Sequence, residues 1–163
     1  MTDLTVRVRM ARVEGAQLVH LVDDFRELVG ANRDVEDPAI GRLIPDPYPE
    51  DEDSSRAFRD ATRDDLLDRR ALDADIVRTA LAGMRGDLGD MPRNEAFAEH
   101  DLDIPLSDVD AWMRTLTALR LVIAERLGIQ NDDDHDPDDP RYGVYDWLGY
   151  RLELTVEAAD RLL

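Results

Sequence analysis

The 163-residue chain contains no cysteine, no lysine and only three serines. Without cysteine there is no disulfide framework, no thiolate metal site and no thiol nucleophile. Without lysine there is no Schiff base, no pyridoxal attachment and no phosphate-loop lysine, and glycines 83, 86 and 89 follow no strand as a nucleotide loop would. Ser54, Ser55 and Ser107 each stand where a helix start calls for a cap, and none lies in a GxSxG turn, so serine catalysis has no setting. The three histidines, His20, His100 and His135, form no HxxxH or HExxH pair. Long apolar runs are missing too: no stretch approaches the roughly 18 residues of a membrane span. The opening MTDLTVRVRM lacks the apolar core of a signal peptide. A soluble cytoplasmic protein that touches no membrane is the expectation.

Positive charge is also scarce. Twenty basic residues, all arginine, face 38 acidic ones, of which 28 are aspartate, and the formal net charge is −18. Such a field repels nucleic acid and anionic lipid, so direct nucleic-acid binding is disfavoured. Arg7, Arg9 and Arg12 form the one local basic cluster worth testing. The lysine-free, aspartate-rich composition reads as a coding bias of a GC-rich genome rather than salt adaptation, and the acidity serves mainly solubility.

Carboxylates are too many for spacing to single out an acid–base pair. Asp132, Asp134 and Asp136 match the first three ligand positions of a calcium loop. However, Pro137 replaces the glycine at its sixth position and Gly143 the glutamate at its twelfth. The run NDDDHDPDDP, Asn131 to Pro140, therefore reads as a solvated acidic loop, with loose cation binding as the alternative. No cofactor and no metal site is expected.

What is present is helical periodicity. From Ser107 to Gly128, the residues Val109, Trp112, Met113, Leu116, Leu119, Ile123 and Leu127 make one apolar stripe, with Ser107 and Asp110 placed as a capping box and Gly128 as a left-handed stop. This is the central packing helix. Leu18, Leu21, Val22, Phe25, Leu28 and Val29 mark a first helix over Arg12 to Val29 that stops at Gly30. Asp37-Pro38 opens a short helix through Leu43.

Pro45, Pro47 and Pro49 dictate an extended passage, and Ser54 or Ser55 caps the next helix. Residues 55 to 85 are helical, with Ala57, Phe58, Ala61, Leu66, Leu67, Ala74, Val77, Ala80, Leu81 and Met84 as an uneven stripe. A break is expected near Thr62, where Thr62 and Asp65 suit a second capping box. Asp87 to His100 reads as loop. A last helix runs from about Tyr142 to Leu162, with Val144, Leu148, Leu152, Val156 and Ala159 as its stripe, flanked by Tyr145 and Trp147. Leu4, Val6 and Val8 alternate with polar residues, as do Leu102, Ile104 and Leu106. The two stretches predict a two-stranded ribbon whose outer arginines face outer aspartates, with Pro105 closing the second strand. The fold class is mainly α: one domain over 1–163, a bundle of four to five helices with a small β ribbon.

Arg120 falls at the margin of the central stripe. It reads as a structural ion pair with a carboxylate such as Asp146 or Glu153, or as an anion clamp in the bundle. Trp112, Tyr145 and Trp147 read as core aromatics or as a partner-binding hot spot.

The runs DPAIGRLIPDPYPED (Asp37 to Asp51), FRDAT (Phe58 to Thr62), W-MRTLTALRLVIAERLGI (Trp112 to Ile129) and YDWLGYRLE (Tyr145 to Glu153), in this order and spacing, resemble the actinobacterial domain-of-unknown-function family 2017. The resemblance implies a helical fold with no assigned enzymatic activity. It also implies kinship with oxidative-stress transcription regulators, as which some members are regarded, in a family whose genes often neighbour that of an adaptor for regulated proteolysis. Two departures stand out. Thr117 and Ala118 replace an Asn-Asp pair of the family, and Arg151, Leu152 and Glu153 replace Leu-Gln-Glu. The family's regulators sense oxidants through a cysteine pair, and that mechanism does not carry over to a chain without cysteine.

The expectation is a non-enzymatic regulatory or protein-interaction module of the cytoplasm that binds a protein partner, for which a homodimer is a compatible form. The alternatives are a DNA-binding transcription regulator and a small-molecule or metal-binding enzyme with a pocket near Arg120. The interaction candidates are Arg120, Trp112, Tyr145 and Trp147.

Overall fold

In the computed structural model, residues 4–44, 50–84, 88–129, 136 and 138–162 are described. The chain enters as strand β1 (Thr5–Ala11), which pairs antiparallel with β2 (Glu99–Pro105) in the register Val6↔Ile104, Val8↔Leu102 and Met10↔His100. Strand alternation sends Val6, Val8, Met10 and Ile104 into the core. On the other face Arg7 donates to Asp103 at 2.9 Å and Arg9 to Asp101 at 3.0 Å. Pro105 ends the ribbon as expected. Leu4, however, lies outside β1 and is 56% exposed, and Asp87 to His100 is not all loop: a short helix α4 (Arg93–Ala96) forms, and His100 belongs to β2. The ladder with β1 claims Glu99 and His100, because pairing satisfies backbone groups that a loop would leave to water.

Helix α1 (Arg12–Val29) follows directly, with the predicted bounds. Gly15 marks its close approach to the turn at Ala82–Met84: a Cβ there would lie 2.9 Å from Met84 Cβ. Helix α2 (Pro38–Leu43) starts with proline at its first turn, and the Asp37 carboxylate accepts from Ala39 N–H at 2.9 Å. The proline passage at residues 45–49 lies outside the described residues.

Helix α3 (Glu52–Ala80) is unbroken over 29 residues. The expected serine cap is replaced by Asp51, whose carboxylate accepts from both the N–H and the hydroxyl of Ser54; an aspartate one turn earlier starts the helix before either serine is reached. The expected break at Thr62 does not occur. The Thr62 hydroxyl donates back to the Phe58 carbonyl at 2.9 Å, a bond compatible with a continuing helix. Continuity fixes the angular register of the whole helix. Leu67, Ala74 and Val77 face the core, so Ala57, Phe58 and Ala61 point outward and are exposed.

The central helix α5 (Val109–Leu127) packs against α2, α3 and helix α6 (Gly143–Asp160). Gly128 ends it at φ 74°. Ser107 does not cap it: residues 106–108 form a 3-10 turn, and the Val109 N–H donates to the Leu106 carbonyl, which takes over the cap's role. In α6 the buried line runs Tyr145, Leu148, Arg151, Thr155, Ala159, whereas Val156 is exposed. The inner face of the ribbon and the inner faces of α1, α2, α3, α5 and α6 meet in one apolar cluster around Leu18, Val22, Leu67, Trp112, Leu116 and Leu148. The chain is mainly α with a small β ribbon, and among the described residues no helix is long and apolar enough to cross a membrane.

Candidate functional site

The four residues singled out from sequence occupy different settings. Trp112 is fully buried in the core, and its indole N–H has no hydrogen-bond partner. Tyr145 is buried against Ala124 and Ile129. The Arg120 guanidinium lies over the Tyr145 ring, 4.3 Å from its centroid, and beside Gly149, where a Cβ would come within 3.1 Å of it. This cation–π seat joins α5 to α6. Trp147 is half-buried, and its Nε1–H donates to Glu14 at 2.8 Å. The structure thus brings Arg120 and Tyr145 together and sends Trp112 and Trp147 elsewhere. Of the departures from the resembled family, Ala118 is in the core and Thr117 is exposed, its hydroxyl returned to the Met113 carbonyl.

Glu14 is the hub of a polar knot. Its carboxylate accepts from Trp147, from Arg151 through both Nε and Nη2, and from the backbone of Ala11. Burial pushes the Glu14 carboxyl up, but these hydrogen bonds outweigh it and hold it below its usual range. The constellation is saturated, which suits a structural clasp. The Arg7 and Arg9 cluster is matched with acids in the same way, and Arg12 donates to His100 at 3.0 Å.

Two concave surfaces are less saturated. Between α1 and α5 runs a groove of about 470 Å³ whose floor is Leu21, Phe25, Leu28, Val122 and Ile123. Its arginines are engaged: Arg126 grips Asp37 through two bonds of 2.8 Å, and Arg33 donates to Asp64 and Asp68. Arg126, together with the Ala39 backbone, holds the Asp37 carboxyl below its ordinary value. Asp24, Glu27 and Asp34 complete the rim, which is therefore negative.

The second surface lies along α3, where Arg56, Arg59, Arg63 and Arg70 share the helical face of Leu67, Ala74 and Val77; Arg59, Arg63 and Arg70 are half-buried and Arg56 is exposed. Arg56, Arg59 and Arg63 line a cavity of about 430 Å³ beside α2. Arg70, farther along, is half-buried with no carboxylate within hydrogen-bond reach among the described residues, because Asp73 is gripped by Arg114 at 2.8 and 3.1 Å. Desolvation pushes its pKa down, against the pull of the nearby Asp73 charge, and the Arg114 charge adds to the lowering. Sequence reasoning missed these arginines because the expected break at Thr62 decoupled the first half of the helix from the register of the second. The 3–4–7 spacing of the arginines onto Leu67, Ala74 and Val77 was the available signal.

Among the described residues no group of three or more metal-ligating side chains converges; Asp132 and Asp134 lie outside them. The family model described as Domain of unknown function (DUF2017) matches residues 1–159. No curated protein and no solved structure matches the chain.

Proposed function

The chain belongs to the domain-of-unknown-function family DUF2017, and from this premise we propose that it is a non-enzymatic regulatory and protein-interaction module that docks a helix of a protein partner. The groove between α1 and α5 carries this reading. Its floor is apolar and continuous along two helices, which suits the apolar face of an amphipathic helix. Its rim carboxylates Asp24, Glu27 and Asp34 select basic residues at the margins of that helix, since the rim arginines are already paired. The actinobacterial, cytoplasmic setting and the kinship with oxidative-stress regulators belong to the same proposal. A chain without cysteine responds to such signals through what it binds rather than through a thiol.

The DNA-binding alternative has less support, because Arg7 and Arg9 already face Asp103 and Asp101. The test is capture from the native cell with wild type and with Leu28→Glu and Val122→Glu, after thermal melts establish that both variants fold. A partner bound by wild type and lost from both variants supports the groove. A partner retained equally by all three places docking elsewhere, and no partner at all removes the reading.

A further inference from the structure

We propose that the cavity between α2 and the first half of α3 binds a small organic anion through a phosphate or carboxylate group, independently of the groove. Arg56, Arg59 and Arg63 lie on the side of α3 that carries Leu67, Ala74 and Val77 in its second half; Arg59 and Arg63 are half-buried there and Arg56 is exposed. Two half-buried guanidinium groups with a third beside them are costly unless something compensates them, and among the described residues the compensation is only partial.

Arg63 is the clearest case. Its side chain is 30% exposed, and its Nε is shut off from solvent without a hydrogen-bond partner. Its nearest carboxylates are Asp60 at 3.6 Å and Asp64 at 3.8 Å, and Asp64 already accepts from Arg33 at 3.0 Å. Arg59 makes one long bond, 3.4 Å, to the Gly41 carbonyl. Arg56 has no carboxylate within salt-bridge distance among the described residues. Among the described residues of the lining the acids are Glu52 and Asp60, both exposed, Asp60 at 65%, against three arginines in a chain of net charge −18.

Shape and chemistry give the ligand class. Guanidinium forks match the paired oxygens of phosphate and carboxylate. A volume of about 430 Å³ exceeds a bare ion and lies in the range of small-molecule sites. Val35 and Ile44 supply an apolar wall for the organic part of the ligand.

The experiment is titration of the full chain with inorganic phosphate and, separately, with succinate. Calorimetry and thermal melts are followed against sodium chloride at equal ionic strength, because any salt screens the self-repulsion of so acidic a protein. The expected result is saturable binding and a melting-temperature rise beyond the chloride control for at least one anion. Both should weaken at least about ten-fold in Arg56→Gln/Arg63→Gln, a variant that still melts cooperatively and responds to chloride as wild type does. A response to phosphate alone assigns a phosphoryl ligand, and a response to succinate alone a carboxylate. Shifts no larger than chloride for both anions, or an undiminished excess in the double variant, overturn the proposal. Should the double variant not fold, Arg56→Gln alone, at an exposed position, gives the same reading.

Discussion

Arg151 on α6 and Glu14 on α1, 137 positions apart, form a largely buried ion pair, and the same guanidinium donates to the Arg9 carbonyl of β1 at 2.7 Å. One side chain therefore fastens the last helix to the first helix and to the ribbon. With 10% of Arg151 and 29% of Glu14 exposed, the pair is sheltered enough that losing one member matters more than forming the bond gains.

Glu14→Ala is expected to destabilise the fold by about 3 kcal/mol, since it strands a buried guanidinium. Glu14→Gln/Arg151→Met removes both charges and should recover at least roughly half of that loss. Urea unfolding of the single and double variants measures both. Additive losses would show that the two residues act separately.

The same pair sets a pH dependence. Burial alone would raise the Glu14 carboxyl, but Arg151, Trp147 and the Ala11 backbone bring it below its ordinary value of 4.5. A carboxyl whose folded pKa lies below its unfolded one contributes fully above the unfolded value, and that contribution is lost as pH falls through the folded value. Wild type should therefore lose more stability than Glu14→Gln between about pH 5 and 3, and none through this residue between about pH 5 and 7. Comparing the two proteins cancels the relief of self-repulsion as other acids protonate. Parallel urea-midpoint curves would refute the assignment.

Arg70→Met should leave stability unchanged or raise it by about 1 kcal/mol, because the arginine is half-buried and its Nε is unpartnered while Asp73 serves Arg114. Methionine keeps the stem's packing and removes the desolvated charge. A thermal melt lowered by several degrees would mean that Arg70 has a partner role in the fold.

Elements whose signals are local were legible in the chain alone. The spacing of Leu18, Val22, Phe25 and Val29 fixed α1, Asp37-Pro38 fixed the start of α2, and Gly128 fixed the end of α5. Even the ribbon, with its Arg7–Asp103 and Arg9–Asp101 pairs, followed from period-two alternation in two distant stretches. The caps at Ser107, Ser54 and Ser55 and the break at Thr62 were misread because several residues compete for each helix start, and the choice depends on what precedes it in space.

The central helix kept its place, and its margin residue Arg120 lies over the Tyr145 ring. Composition and periodicity determined the helical class, the acidity and the absence of thiol and lysine chemistry, since each is a property of residue types and their spacing. The tertiary structure decided which arginines are paired and which line a cavity. An isolated helix turns every side chain toward water, and only the packing of α1 and α5 against α3 gives that helix a sheltered side, on which Arg59, Arg63 and Arg70 are half-buried.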